Sequence, residues 1–188
     1  MRQFLGIPLP EGLRRAAAAA RIALHVPGDG GWRFAREEGL HVTIRFLGEV
    51  DPSRRDALNV AWREAARGSG RLTLRLAGAA AFPSARKPRV LAVRVDDESG
   101  EGSLGRLAER IERAAREHGF PPALRRFDAH VTLARARRDA RVACPDLEDV
   151  GDLGAFVAEQ LVLFRSELDR GGSRYVEEAS YPLFSEAP

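Results

Sequence analysis

The chain runs twice through the same short programme. A strand-like segment leads into an amphipathic helix and then into a second strand that carries His-x-Thr. The first pass starts at Arg2 and ends on His41-Val42-Thr43-Ile44; the second starts at Arg89 and ends on His130-Val131-Thr132-Leu133. On a strand, residues i and i+2 point to one face. His41 and Thr43 therefore project together, while Val42 and Ile44 turn to the other face and can pack in a core. The same holds for His130 with Thr132 and for Val131 with Leu133. Two similar lobes facing each other would pool two imidazoles and two hydroxyls in one central cleft. Both halves also contain strands with no helix between them, which points to an α+β fold rather than a doubly wound sheet. The expectation is one two-lobed unit over residues 1–188, pseudo-symmetric, with antiparallel-rich sheets and outer helices.

Local patterns fill in this frame. Arg2 to Pro8 reads as a strand, and Pro10 can open a helix to about His25 with Leu13, Ala17, Ala20 and Leu24 on one face. Pro27 to Gly31 reads as a loop and Leu40 to Leu47 as a strand. Asp51, followed by Pro52, predicts the cap of a helix that turns Ala57, Leu58, Ala61, Trp62 and Ala65 inward and stops at Gly68 and Gly70. Arg71 to Leu76 alternates, and Val90 to Val95 is a further strand. Ser103 predicts a helix cap, with Leu104, Leu107, Ala108, Ile111 and Ala115 inward and Gly119 at the end. Phe127 to Ala134 reads as a strand, and Leu161 to Arg165 with Tyr175 to Leu183 as a hairpin pair around Gly171-Gly172.

Composition narrows the function classes. Hydrophobic residues make up 44% of the 188, enough for a core, and 30% are charged. No apolar run approaches the roughly 18 residues of a membrane span, and no signal-peptide pattern opens the chain. A single cysteine, Cys144, makes an internal disulfide impossible, so a cytoplasmic location and a monomer are the default expectations. Net charge is +3 with a pI of about 9.7, a mild pointer to a polyanionic partner. Lys87 is the only lysine, so position says more than the total. Arg125, Arg126, Arg135, Arg137, Arg138 and Arg141 face only Asp128 and Asp139 across one stretch beside the second motif.

The chemistry rests on the repeated motif. The chain has four histidines and three threonines, so two His-x-Thr pairs in matching register exceed what random placement offers. Opening a cyclic phosphate needs a base to deprotonate water and an acid to protonate the leaving oxygen, on opposite sides of phosphorus. Histidine suits both tasks because its ordinary pKa of about 6.5 lies near operating pH. Threonine hydroxyls can donate to the non-bridging oxygens, where charge concentrates in the transition state. Such a cycle needs no metal and no cofactor. Zinc-type spacing (His-x-His, His-x₃-His, Cys-x-x-Cys) and a Gly-x-Ser-x-Gly elbow are both absent. His25 and His118 read as structural or surface residues. The residues alone do not say which motif histidine is acid and which is base. They also leave open another cyclic phosphate, such as a cyclic ADP-ribose phosphate, a 3′-end RNA trimming activity, or an RNA-binding module without turnover.

At these residues the chain resembles the RNA 2′,3′-cyclic phosphodiesterases, also called 2′-5′ RNA ligases, within the two-histidine phosphoesterases. The resemblance runs from Phe4-Leu5-Gly6-Ile7-Pro8-Leu9-Pro10 through His41 to Val50, Phe82-Pro83 and Arg89-Val90-Leu91. It continues through His130 to Arg135, Ser166, Leu168, Gly172, Tyr175 and Tyr181-Pro182-Leu183. It implies a bilobal α+β fold with a central cleft. It implies His41 as proton donor, His130 as proton acceptor, Thr43 and Thr132 as phosphate holders and Arg135 as the phosphate-binding arginine. The implied substrates are RNA ends or nucleotides with a 2′,3′-cyclic phosphate. The implied product is a 2′-phosphomonoester, with weak reverse 2′-5′ joining beside it. One departure stands out: Ala129 precedes the second motif where the family usually has proline.

Overall fold

The computed structural model describes residues 1–24, 31–100, 102–148, 150–169 and 172–184. The first pass consists of β1 (Arg2–Pro8), α1 (Glu11–Ala23), a three-residue β2 (Trp32–Phe34) and β3 (His41–Glu49). A 3₁₀ turn, Pro52–Arg54, then runs into α2 (Arg55–Ala66), followed by β4 (Leu72–Phe82). The second pass is β5 (Val90–Asp97), α3 (Ser103–Glu117) and β6 (His130–Ala136). Strands β7 (Asp152–Ala158), β8 (Gln160–Asp169) and β9 (Gly172–Pro182) follow.

All strand pairs are antiparallel, in the order β7-β4-β5-β6-β3-β1-β8-β9, with β2 added to β6. Read outward from the centre, β3-β1-β8-β9 in one lobe repeats β6-β5-β4-β7 in the other. The two motif strands meet at one residue pair, Val42 with Val131. Beyond it β3 leaves β6, and β2 takes the vacated edge by pairing Trp32, Arg33 and Phe34 with Ala136, Arg135 and Ala134. This splaying opens the cleft between the two motif strands.

The helices are exchanged between the lobes. Helix α1 leaves β1 yet packs against β6 and β7, with Leu13 reaching Gly154 of β7. Helix α3 leaves β5 yet packs against β3, where Arg45 ion-pairs with Glu112 at 2.6 Å. Helix α2 lies between α3 and β9. The inward faces hold the expected apolar residues: Ala17, Ala20 and Leu24; Leu58, Trp62 and Ala65; Leu104, Leu107, Ile111 and Ala115. Burying a side chain of leucine or phenylalanine size is worth roughly 1.5–3 kcal/mol. The helix-covered face of the sheet is thus sealed, and Val42 and Val131 sit in that core with no exposure.

Several expectations need correction. Asp51 does cap, accepting from the Ser53 N–H at 2.9 Å, but its first turn is 3₁₀ and Ala57 is exposed. Ser103 is the first residue of α3 rather than its cap. Its hydroxyl donates to the Gly100 carbonyl, and Asp97 at the end of β5 instead accepts from the Leu104 N–H at 2.7 Å. Phe127 to Ala129 lie outside β6. Strands β2 and β7 carry no period-two signal: β2 is too short, and β7 is a half-exposed edge interrupted by Gly154. His25, residues 27–30 of the expected loop and Gly171 at the hairpin tip lie outside the described residues. No helix among the described residues is long and apolar enough to cross a membrane.

Candidate active site

Both motif histidines are fixed in the same way. His41 Nδ1 lies 2.7 Å from the Gly39 carbonyl, and His130 Nδ1 lies 2.7 Å from the Asp128 carbonyl, in each case two residues back. A carbonyl only accepts, so Nδ1 carries the proton in both rings and Nε2 is left for chemistry. In the neutral His41 ring, Nε2 accepts from the Thr43 hydroxyl at 2.9 Å. Each ring also rests on an aromatic side chain: Phe4 stacks on His41 at 4.6 Å, and Phe82 lies against His130 at 4.8 Å. Phe164 and Tyr175 complete a cluster around His41. That ring is therefore packed as well as presented to the cleft. Gly6, opposite Thr43, makes room for it, since a Cβ there would meet His41 Cδ2 at 3.2 Å and the Val42 carbonyl at 2.9 Å.

A cavity of about 80 Å³ lies between the lobes and is lined by His41, Thr43 and Phe46 of β3 and by Thr132 and Arg135 of β6, among others. His130 is not one of its lining residues; it stands on the Thr132 face of β6, close enough to His41 to influence its protonation. The Arg135 guanidinium is 3.5 Å from the Thr132 hydroxyl. Thus the cavity gathers His41, Thr43, Thr132 and Arg135, and His130 stands beside them on the opposite lobe.

A strand of strict period two would send Arg135, three residues past Thr132, to the wrong face. The register shifts between Leu91 and Ala92 of β5, leaving Leu133 as an extra residue on β6. This bulge returns Arg135 to the cleft. The same shift occurs on the other lobe between Leu5 and Gly6, with Ile44 as the extra residue, and it brings Phe46 to the cleft. Phe46 and Arg135 are therefore equivalent positions, each five residues after a motif histidine, carrying different chemistry. Phe46 is 56% exposed for an aromatic ring. Period-two reasoning gave it no role; its only sequence signal is its matching place after the motif.

Electrostatics acts strongly on His41. Burial is the main force on His41, and the positive charges of Arg135 and His130 add to it, while the Gly39 carbonyl opposes them. The result is a pKa lowered to about 4. The basic stretch does not form one patch. Arg125 and Arg126 line a separate groove with α3, Arg135 enters the cleft, and the Arg137 and Arg138 carbonyls accept from Arg89. His118 closes α3, its Nδ1 2.9 Å from the Ala114 carbonyl. Cys144 is half-buried, and burial pushes its thiol up. Among the described residues, no three His, Cys, Asp or Glu side chains converge as a metal site.

Comparison with known proteins bears on the family and the fold. The family described as LigT like Phosphoesterase matches residues 7–92 and 95–175. An RNA 2′,3′-cyclic phosphodiesterase of Aeropyrum pernix is 35% identical over 143 residues, covering 74% of this chain and 79% of the relative. One of Thermus thermophilus is 30% identical, covering 99% of this chain and 92% of the relative. A solved structure from Thermus thermophilus superposes with a TM-score of 0.80 at 30% identity, covering 97% of this chain and 98% of that one. Escherichia coli LigT complexed with 3′-AMP gives 0.74 at 25% identity, with 97% of each chain covered. With its two lobes, central cleft and repeated histidine strands, the chain belongs to the LigT-like phosphoesterase family of two-histidine phosphoesterases.

Proposed function

We propose that this chain, as one two-lobed unit over residues 1–188, opens 2′,3′-cyclic phosphates at RNA ends by paired histidine acid–base catalysis. The observation that carries the reading is the repeated fixation of Nδ1, which frees one Nε2 on each lobe. In-line displacement needs two proton-transfer groups on opposite sides of one phosphorus. Relatives named for this reaction support the substrate class.

In this mechanism the phosphate sits between Thr43 and Thr132, with Arg135 on its non-bridging oxygens. His130 Nε2 takes a proton from water as the new P–O bond forms. The P–O3′ bond breaks, and His41 Nε2 delivers a proton to O3′, leaving a 2′-phosphomonoester. The assignment of donor and acceptor follows the family resemblance. Phe46 offers its exposed face to the terminal base. Reversal of the same steps would give weak 2′-5′ joining.

The test is to incubate the protein with a 2′,3′-cyclic nucleotide in excess chelator and identify the product. Turnover to the 2′-phosphate is expected. A 3′-phosphate would keep the mechanism and reverse the substrate in the cleft. Loss of activity restored by a divalent metal would overturn the mechanism. RNA binding with no turnover would make the protein a binding module. Preference for a cyclic ADP-ribose phosphate would move the substrate class.

A further inference from the structure

The pseudo-symmetry of the cleft is broken by one element. Strand β2 adds to β6, and the second lobe's helix-to-strand connection, residues 118–129, contains no strand in return. What β2 brings to the cleft is Arg33. It is paired in register with Arg135, so the two side chains leave neighbouring strands on the same face, about 4.8 Å apart at the backbone. Both line the cavity that holds His41, Thr43 and Thr132.

Like charges directly opposite across a strand pair destabilise it. Among the described residues, no carboxylate neutralises either arginine, and none lines the cavity. Both guanidiniums are exposed, and set side by side without a carboxylate they offer an anion a two-armed site. A cyclic phosphodiester carries a single negative charge, and the two threonine hydroxyls with Arg135 already serve its non-bridging oxygens. Arg33 stands one strand from Arg135, on the edge of β6 that β3 vacates. Because both arginines line one cavity, a charge that meets Arg33 lies beside the reacting phosphate, within reach of the same ligand.

We propose that Arg33, next to Arg135, forms a second phosphate subsite that takes the phosphate on the 5′ side of the terminal nucleoside. The proposal rests on the cyclic-phosphate reading above and sharpens its substrate: a chain end with at least two phosphates, in preference to a cyclic mononucleoside. The pseudo-symmetric parts of the cleft supply proton transfer, and β2, which has no counterpart in the second lobe, supplies the sense in which the substrate lies. Arg33 is a positioning residue, since it touches no reacting atom.

The experiment compares adenosine 2′,3′-cyclic phosphate with its 5′-phosphorylated form, in wild type, Arg33→Ala and Arg33→Lys, at fixed ionic strength. The readout is the ratio of kcat/KM for the two substrates. Wild type should prefer the 5′-phosphorylated form by about tenfold, the scale of one charge-assisted hydrogen bond. Arg33→Ala should bring the ratio near one, mostly through KM, and Arg33→Lys should restore part of it. Calorimetry with adenosine 2′-phosphate and adenosine 2′,5′-bisphosphate gives the same comparison without turnover. If wild type turned over neither substrate but still favoured the bisphosphate, the reaction assignment would fail and the subsite would stand. An unchanged ratio in Arg33→Ala, or equal losses on both substrates, would overturn the subsite.

Discussion

His41 is held in a state opposite to the one the proposed donor role requires. Burial, Arg135 and His130 keep the ring neutral, with its pKa lowered to about 4, yet a proton donor must arrive charged. A bound phosphate resolves the conflict, because its negative charge beside Arg135 favours the imidazolium. The expected outcome is that His41, followed by NMR, titrates low in the free protein and moves upward when adenosine 2′-phosphate is added. An unmoved resonance would remove His41 from the donor role. The same depression has a stability consequence. The unfolded ring protonates at about 6.5 and the folded one at about 4, so between these values the unfolded state holds more protons. His41's contribution is complete above the upper value and is lost as pH falls toward the lower one. A urea midpoint that declines over this window in wild type, and less in His41→Gln, is expected. His41→Gln and His130→Ala should each cut turnover by roughly 10²- to 10⁴-fold, with His118→Ala near normal. Glutamine is preferred at 41 because the ring also packs on Phe4, and alanine would add a packing loss.

At the scale of elements, the paired bulges decide what the sequence could reveal. His41, Thr43, His130 and Thr132 were legible because period two holds from i to i+2. Arg135 was legible only through family resemblance, and Phe46 had no assigned role, because the extra residues Leu133 and Ile44 shift the face that follows. Strand β2 was invisible for a different reason: three residues held by one neighbour have no pattern of their own. Helix starts show a similar limit. Ser103 is a good capping residue by type, but the carboxylate that caps α3 comes from Asp97, six positions earlier on β5. Asp97→Ala should therefore cost about 1 kcal/mol, within the usual 0.5–2 for a lost cap, and Ser103→Ala less. Denaturant titration of the two variants checks the order. Equal costs would return the capping role to Ser103. Because α3 braces β3 through Glu112 and Arg45, the Asp97 change should also lower turnover slightly.

Across the whole molecule, the exchange of helices and the addition of β2 to β6 tie the lobes together beyond the single Val42–Val131 pair. Each sheet is covered by a helix that belongs to the other half of the repeat, so neither sheet can bury its apolar face alone. The two tryptophans report on this separately, because Trp32 sits on β2 beside β6 and Trp62 on α2 beside β9. Single-tryptophan variants, Trp32→Phe and Trp62→Phe, should unfold with the same urea midpoint by fluorescence and by circular dichroism, as for a two-state protein. Separated transitions would mean independent lobes. The strand order has one more consequence, for a chain still being synthesised. Strand β1 lies between β3 and β8, whereas all four strands of the β6-β5-β4-β7 lobe precede β8 in the chain. Although it is made before β3 and β8, β1 is thus among the last of these strands to gain its second neighbour. Until β8 emerges from the ribosome, β1 presents an apolar open edge, with Phe4, Leu5 and Ile7, to any other extended chain nearby.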